Sequence, residues 1–496
     1  MDQRREKRME GRSEKSSLRE RLLAYGASDY YGFHMPGHKR RLGRLGEPYQ
    51  IDITEIYGFD DLHHPRKEGV LVKAQERAAR LYGAEETHFL INGSTAGILS
   101  AVSACTHLGG QLLLSRNSHR SAYHGAELRN LKLWYLYPQL LDSLWINGGI
   151  LSSDVENSLK EHPEIEAVFI TSPTYEGICS DVKSIAGICH MHGVPLIVDQ
   201  AHGAHFPFSG YFPEDALGAG ADVVIQSVHK TLPALTQTAL LHVQGKLVDR
   251  ERLRHYLSVY QSSSPSYVLM ASIDSCMEWL ETSGKDSFEE YAERLEEFRE
   301  GCKNLSELGL LGKEILGKGA VHDFDNSRLV IFAKYGSMTG EDISKWLRER
   351  HHLEMEMTAA HYVTGISSVA DNKEAFTRLY HGLYKLDEEL RTEEGKPVIH
   401  MAMGQRLPGV RAVMPPGTAL EKEKEWVDIK QAVNRTAGSY LYVYPPGIPL
   451  AVPGEQLTRE LCGQIEVCLA AGQELQGLHA DGRVNVIAES LYNRQC

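Results

Sequence analysis

The sequence predicts an α/β protein built on a mostly parallel sheet of seven strands. Three observations carry that expectation. Short apolar runs rich in β-branched and aromatic residues recur between residues 87 and 243. Plausible helices or connecting loops separate most of them, the rhythm of a parallel sheet covered on both faces. Five of the runs end in polar and titratable clusters, and an open parallel sheet holds its ligand at the carboxyl ends of its strands.

The elements follow in order. VLVKAQERAARLYG (70–83) has helical spacing and leads into the run THFLI (87–91). A helix over TAGILSAVSACTHLG (95–109) precedes QLLLS (111–115) and LWYLYP (133–138). SSDVENSLKEH (152–162) connects to EAVFITS (166–172), and VKSIAGICHMHG (182–193) to VPLIVD (194–199). DVVIQS (222–227) and ALLHV (239–243) complete the set. Beyond 250 the pattern changes to long helices (267–284, 286–309), a strand-like run SRLVIFAKYG (327–336) and a helix at 339–354. Pro/Gly-rich strings follow EELRTEEGKP. The expected division is an N-terminal arm and segment at 1–65, a large α/β domain at 66–262, a small α+β domain at 263–395 and a C-terminal domain at 396–496.

Composition excludes several classes. Apolar residues make up 42% and charged residues 24% of 496 positions, so the chain can build a core and is not broadly disordered. The net charge of −13 argues against a nucleic-acid partner. Eight cysteines without a Cys-x-x-Cys pair argue against a cysteine-rich zinc site and fit a reducing compartment. The charged lead-in at 1–20 lacks the apolar core of a signal peptide, and no run of about 18 apolar residues occurs. The expectation is a cytoplasmic protein with no metal, membrane or nucleic-acid partner.

The strand ends carry the chemistry. After THFLI, Asn92-Gly93-Ser94-Thr95-Ala96-Gly97 opens a helix, a way to hold a phosphate on free N–H groups; a simple N-cap explains Ser94 or Thr95 equally well. Arg116-Asn117-Ser118-His119-Arg120-Ser121 follows QLLLS, and Thr171-Ser172-Pro173-Thr174-Tyr175-Glu176-Gly177 follows EAVFI. Asp199 ends an apolar strand, where a carboxylate can face a protonated pyridine nitrogen. Lys230 stands 31 positions later with Ser227 and His229, a phosphate donor set beside an imine-forming amine. Phosphate loop, pyridinium carboxylate and lysine in that order point to pyridoxal phosphate.

SVHKTLPALTQTA (227–239) resembles the cofactor-lysine segment of the Orn/Lys/Arg decarboxylase family. FHMPGHKR (33–40), DDLHHP (60–65), NGSTAG, SRNSHRS, TSPTYEG, VDQAHGAH and YPPGIPLAVPGE (444–455) fall in that family's order, so the resemblance spans residues 20–490 and is closest to its short bacterial arginine decarboxylase form. It implies a fold-type I pyridoxal-phosphate enzyme, aspartate aminotransferase-like in its large domain, with smaller α+β C-terminal domains. It also implies a decarboxylase of a basic L-amino acid in polyamine biosynthesis: arginine first, lysine next, ornithine also. Departures are Gln200 where relatives carry Glu, Pro233-Ala234 where they carry small residues, and MPPGTA (414–419) without a basic residue.

The resemblance assigns roles residue by residue. Lys230 carries the cofactor as an imine and returns a proton, Asp199 keeps the pyridine nitrogen protonated, and His119 stacks on the ring. Ser94, Thr95, Ser227 and His229 hold the phosphate. His202 meets the hydroxyl face or Asp199, and Thr171 supports the phenolic oxygen. His38 belongs to a segment expected to close the pocket of a neighbouring subunit in a homodimer or larger assembly. Asp60, Asp61 and Glu455 are candidates for the substrate's distal cation, although capping or surface roles suit each of them. Arg406 and Arg411 are the arginines available to an aminotransferase, the runner-up within the fold; a lyase, or a cofactor-binding regulator that has lost turnover, completes the alternatives.

Overall fold

The computed structural model describes residues 25–43, 47–56, 59–141, 146–335, 338–391, 409–443, 447–470 and 475–489. The charged lead-in at 1–20 and Arg406 lie outside them.

The seven runs form one sheet. Its strands are β1 (Glu86–Leu90), β2 (Gln111–Ser115), β3 (Lys132–Leu136), β4 (Ala167–Thr171), β5 (Leu196–Asp199), β6 (Val223–Gln226) and β7 (Ala239–Val243), in spatial order β1-β7-β6-β5-β4-β2-β3. Only β7 runs antiparallel to its neighbours. Every residue of β5, β6 and β7 is buried, as strands covered on both faces must be. That double burial is why these runs read as continuously apolar instead of alternating.

Helices α1 (Val70–Tyr82), α2 (Gly93–Cys105) and α3 (Arg120–Leu128) each border the sheet. The spacing of α1 buries Leu71, Ala74, Ala78, Ala79 and Tyr82 on one stripe, and Gly83 ends it in the left-handed conformation (φ 70°). The helix after QLLLS begins at Arg120, with His119 at its cap position.

A second sheet follows the long helices Tyr267–Trp279 and Lys285–Cys302. Its strands β8 (Leu308–Leu310), β9 (Arg328–Ala333), β10 (Met357–Thr358) and β11 (Tyr362–Ile366) pair antiparallel in the order β8-β9-β11-β10. Tyr31–Phe33 pairs parallel with Leu353–Met355, a tie the sequence did not announce. It anchors the N-terminal segment to this second unit.

The last region has its own core, including Leu441, Leu450, Leu457, Leu461, Ile465 and Val486. Arg116, fully buried, reaches into it from the end of β2. Its Nη1 donates to the Pro449 carbonyl (2.6 Å) and its Nη2 to the Leu450 carbonyl (2.9 Å). One long side chain therefore joins the C-terminal region to the large sheet. Among the described residues, no helix is long and apolar enough to cross a membrane.

Candidate active site

The carboxyl ends of β5 and β6 lie side by side, with Asp199 opposite Ile225 in the register. The chain after β6 turns through Ser227 into the short helix Val228–Thr231, which carries Lys230. A helical turn directly after a buried strand swings the lysine back over the strand ends. Its Nζ lies 2.9 Å from His202 Nε2, on the loop after Asp199. Lys230 keeps part of its surface open, yet it is desolvated enough that its pKa falls to about 8, with Asp199 and Glu356 opposing the fall.

Asp199 is buried, and the Ala201 N–H donates to its Oδ1 at 3.1 Å. That bond lies within the turn after β5. No described donor reaches Oδ2, and burial raises the carboxyl's pKa. A cation placed there would bring it back down.

Ser94 and Ser227, distant in sequence, meet Oγ to Oγ at 2.5 Å. Neither Ser94 nor Thr95 caps α2. Asn92 occupies the cap position without a side-chain cap bond, and Gly93 opens the helix at φ 70°. The first N–H groups of α2 thus have no capping side chain, the arrangement that receives an anion.

His119 accepts the Ser121 N–H at Nδ1, and its ring is held neutral, its pKa pushed to about 3 by burial and by Lys230. His229 donates Nδ1–H to the Thr238 carbonyl at 2.7 Å, and burial takes its pKa to about 4. A phosphate at its Nε2 would supply the opposite charge that restores the second proton. Thr171 ends β4 and contacts Ser118 at 3.4 Å.

The structure draws in residues that sequence reading missed. Arg328, the first residue of β9 and fully buried, donates from Nη2 to the His202 carbonyl (2.6 Å) and to His202 Nδ1 (3.3 Å). Tyr175 packs its ring on His202 (centroids 4.7 Å apart) and donates its hydroxyl to Glu356 Oε1 at 2.5 Å. Glu356 also accepts the Met35 N–H. No local pattern marks these residues, because their contacts bridge the two sheets.

The four candidate substrate residues have these partners within the chain. Asp60 is buried and accepts the Val70 N–H at 2.9 Å, capping α1 from outside the helix. Asp61 folds onto its own turn, accepting from the His63 N–H and pairing with His64. Glu455 is buried, its Oε2 3.4 Å from Arg116 and accepting the Val452 N–H, while its Oε1 has no hydrogen-bond partner among the described residues. His38 lines a cavity of about 350 Å³ beside Pro233, Ala234, Leu235 and Trp279. Its segment packs on its own chain's lysine turn: Gly37 N–H bonds to the His229 carbonyl, and buried Lys39 donates to the Gly32, His34 and Ile366 carbonyls. Its polar groups are already satisfied at home. Arg411 lies in the C-terminal region, its carbonyl accepting the Gln456 N–H.

The residues fit pyridoxal phosphate on three grounds: an uncapped helix end with two hydroxyls for a phosphate, a buried carboxylate oxygen without a described donor for a pyridinium, and a desolvated amine for an aldehyde. Among the described residues no cluster of His, Cys, Asp and Glu suits a metal ion.

Comparison with known proteins agrees. The major domain of the Orn/Lys/Arg decarboxylase family matches residues 17–326, and its C-terminal domain matches 402–483. The chain is 33% identical to an arginine decarboxylase of Bacillus subtilis over 454 residues, 90% of this chain and 92% of that one. It is 32% identical to an arginine decarboxylase of Halalkalibacterium halodurans over 481 residues, 95% and 96% of the two chains. The crystal structure of a Francisella novicida lysine decarboxylase superimposes with a TM-score of 0.73 at 18% identity, covering 85% of this chain and 73% of that one. Family match and fold together define a pyridoxal-phosphate-dependent enzyme of fold type I. The chain belongs to the Orn/Lys/Arg decarboxylase family, and it is an amino-acid decarboxylase.

Proposed function

We propose that this enzyme decarboxylates arginine in preference to lysine or ornithine, in polyamine biosynthesis. The observation that carries the reading is the desolvated Lys230 amine held by His202 beside Asp199, with the carboxylate of Glu356 acting on the same amine. A carboxylate there suits a cationic substrate. Relatives at 33% and 32% identity are named for arginine, while the structural neighbour named for lysine is 18% identical.

When bound, pyridoxal phosphate supplies an electron sink for the pair left as carbon dioxide departs. The chain's residues have the following parts. Lys230 would provide the amine for the cofactor's aldehyde and would later return a proton. Asp199 would hold a proton on the pyridine nitrogen. Ser94, Thr95 and Ser227, with the first N–H groups of α2 and with His229, would hold the phosphate. Neutral His119 would stack on the ring, Thr171 would support its phenolic oxygen, and His202 would meet that face or Asp199. Excluding water from the substrate carboxylate would favour departure of a neutral product.

The same reading includes at least a homodimer, a cytoplasmic location and boundaries near residues 65, 262 and 395. The seven described cysteines are all free thiols, which supports a reducing compartment.

The test supplies arginine, lysine and ornithine together and measures released carbon dioxide and the amines formed. Agmatine as the main product supports the reading; cadaverine or putrescine as the main product overturns the substrate order. A keto acid without carbon dioxide would mark an aminotransferase.

A further inference from the structure

Arg328 sits 126 residues from His202 in sequence, yet its Nη2 divides two hydrogens between that residue's carbonyl and its Nδ1. A guanidinium stays protonated in proteins and only donates. Nδ1 of His202 must therefore present its lone pair. An imidazolium, or the tautomer with hydrogen on Nδ1, would set N–H against N–H. The neutral ring that remains carries its hydrogen on Nε2, and Nε2 is the atom 2.9 Å from Lys230 Nζ. An N–H facing an ammonium is repulsive in the same way, so the contact is satisfied only when the lysine offers a lone pair.

We propose that Arg328 is a positioning residue: by occupying Nδ1 of His202 it confines the hydrogen to Nε2, and that hydrogen favours the free-amine form of Lys230 that imine formation requires. The inference rests on the reading of Lys230 as the cofactor lysine, and it adds how an arginine outside the reacting groups prepares it.

Packing and charge keep the guanidinium in this pose, although its Nε and Nη1 make no hydrogen bond among the described residues. Its Nε forms an ion pair with Asp325 Oδ2 at 3.8 Å, and the Arg328 N–H donates to the Asp325 carbonyl. Asp325 is itself fixed by Ser327 N–H and Oγ and by His205, all buried. Gly177 lets the side chain pass: a Cβ there would lie 2.6 Å from Arg328 Cγ, and the residue adopts φ 96°. The stem has little freedom.

Electrostatics run the same way. Burial, then Lys230 and Arg328, hold His202 well below the usual histidine range. Burial and Arg328 lower Lys230, while Asp199 on β5 and Glu356 of the second unit oppose them. His119 and His229 add to the field on His202. None of these charges selects between the two neutral tautomers. The directed bond from Arg328 does.

The test uses the cofactor-free protein, so activity does not enter. Nitrogen-15 NMR of histidine-labelled protein, with His202 identified from the His202→Asn variant, reads the tautomer directly. Hydrogen on Nε2 in the unmutated protein supports the proposal, and hydrogen on Nδ1 overturns it without recourse to any Arg328 variant. Competitive labelling with acetic anhydride and peptide mapping then measures how readily Lys230 reacts at pH 7. Arg328→Met should lower labelling of Lys230 about tenfold. Most of that loss should vanish when the same substitution is made in the His202→Asn background, because the effect passes through the imidazole. An equal loss in both backgrounds would mean that Arg328 acts by its field alone, and the proposal fails. Borohydride reduction of the cofactor-loaded enzyme checks the underlying reading separately: a label on another lysine removes the site assignment and leaves the tautomer result standing.

Discussion

The Gly37 N–H donates to the carbonyl of His229 at 2.7 Å, bonding the N-terminal segment to the turn that presents Lys230. The approach is close enough that a Cβ on Gly37 would lie 2.7 Å from the Thr231 carbonyl carbon and 2.8 Å from the Leu232 nitrogen. Backbone atoms in a buried turn cannot step aside. Gly37→Ala should cost about 1–3 kcal/mol by overpacking and displace the lysine turn. Thermal denaturation should show a lowered midpoint, and turnover should fall. Gly26→Ala, where a Cβ meets nothing within 4 Å, is the matched control and should change neither.

A segment that closes the pocket of a neighbouring subunit should show itself by complementation. Lys230→Ala and a His38/Lys39 double alanine variant are each expected to be inactive. Mixed dimers of the two should recover up to about a quarter of normal activity, because one of the two sites then receives both unmutated contributions. Failure to recover, with mixed dimers shown to form, would place the segment in its own subunit's site.

Asp199→Ala removes the carboxylate that has an oxygen without a described donor. Turnover should drop about a hundredfold or more, the scale of losing one preorganised charge partner. Cofactor retention should change far less, since the phosphate contacts at Ser94, Ser227 and α2 remain. Spectrophotometric cofactor titration beside a carbon dioxide assay separates the two.

Lys230 makes the pH dependence of stability unusual. Its folded pKa, about 8, lies below the roughly 10.4 of an unfolded lysine. Between those values the unfolded chain binds more protons, so this group's contribution to stability rises with pH, and its penalty is fully present below about 8. Cofactor-free Lys230→Met should therefore melt higher than the unmutated protein at pH 7. The gap should close as pH approaches 10. Melting curves at four pH values check both the sign and the window.

Glu455→Ala strands the fully buried Arg116 guanidinium. Losing one partner of a buried ion pair costs about 3–5 kcal/mol. Denaturant unfolding should show that loss or an early transition of the C-terminal region. A variant with unchanged stability and selectively lost affinity for arginine would return Glu455 to the substrate site.

Much of the fold was legible in the chain because burial writes itself locally. Strands covered on both faces read as apolar runs at 196–199, 223–226 and 239–243, and parallel topology puts their polar ends on one edge. Lys230, Asp199, Ser94 and Ser227 could be named from position alone for that reason. The acidic candidates could not be sorted the same way. Asp60 and Glu455 have the right charge, but whether a carboxylate caps a helix, pairs with an arginine or waits for a ligand depends on its spatial neighbours.

The sequence by itself determined the large sheet, the lysine and carboxylate at its strand ends, and the cofactor they suit, because each follows from periodicity and local order. The tertiary structure alone decided the state of those groups. Arg328 reaches His202 across 126 residues, Glu356 reaches Tyr175 across 181, and Gly37 reaches His229 across the interface of segment and sheet. Such contacts join elements that burial brings together in space, and hydrogen bonds within that packing fix which atom carries a proton. No spacing along the chain encodes them.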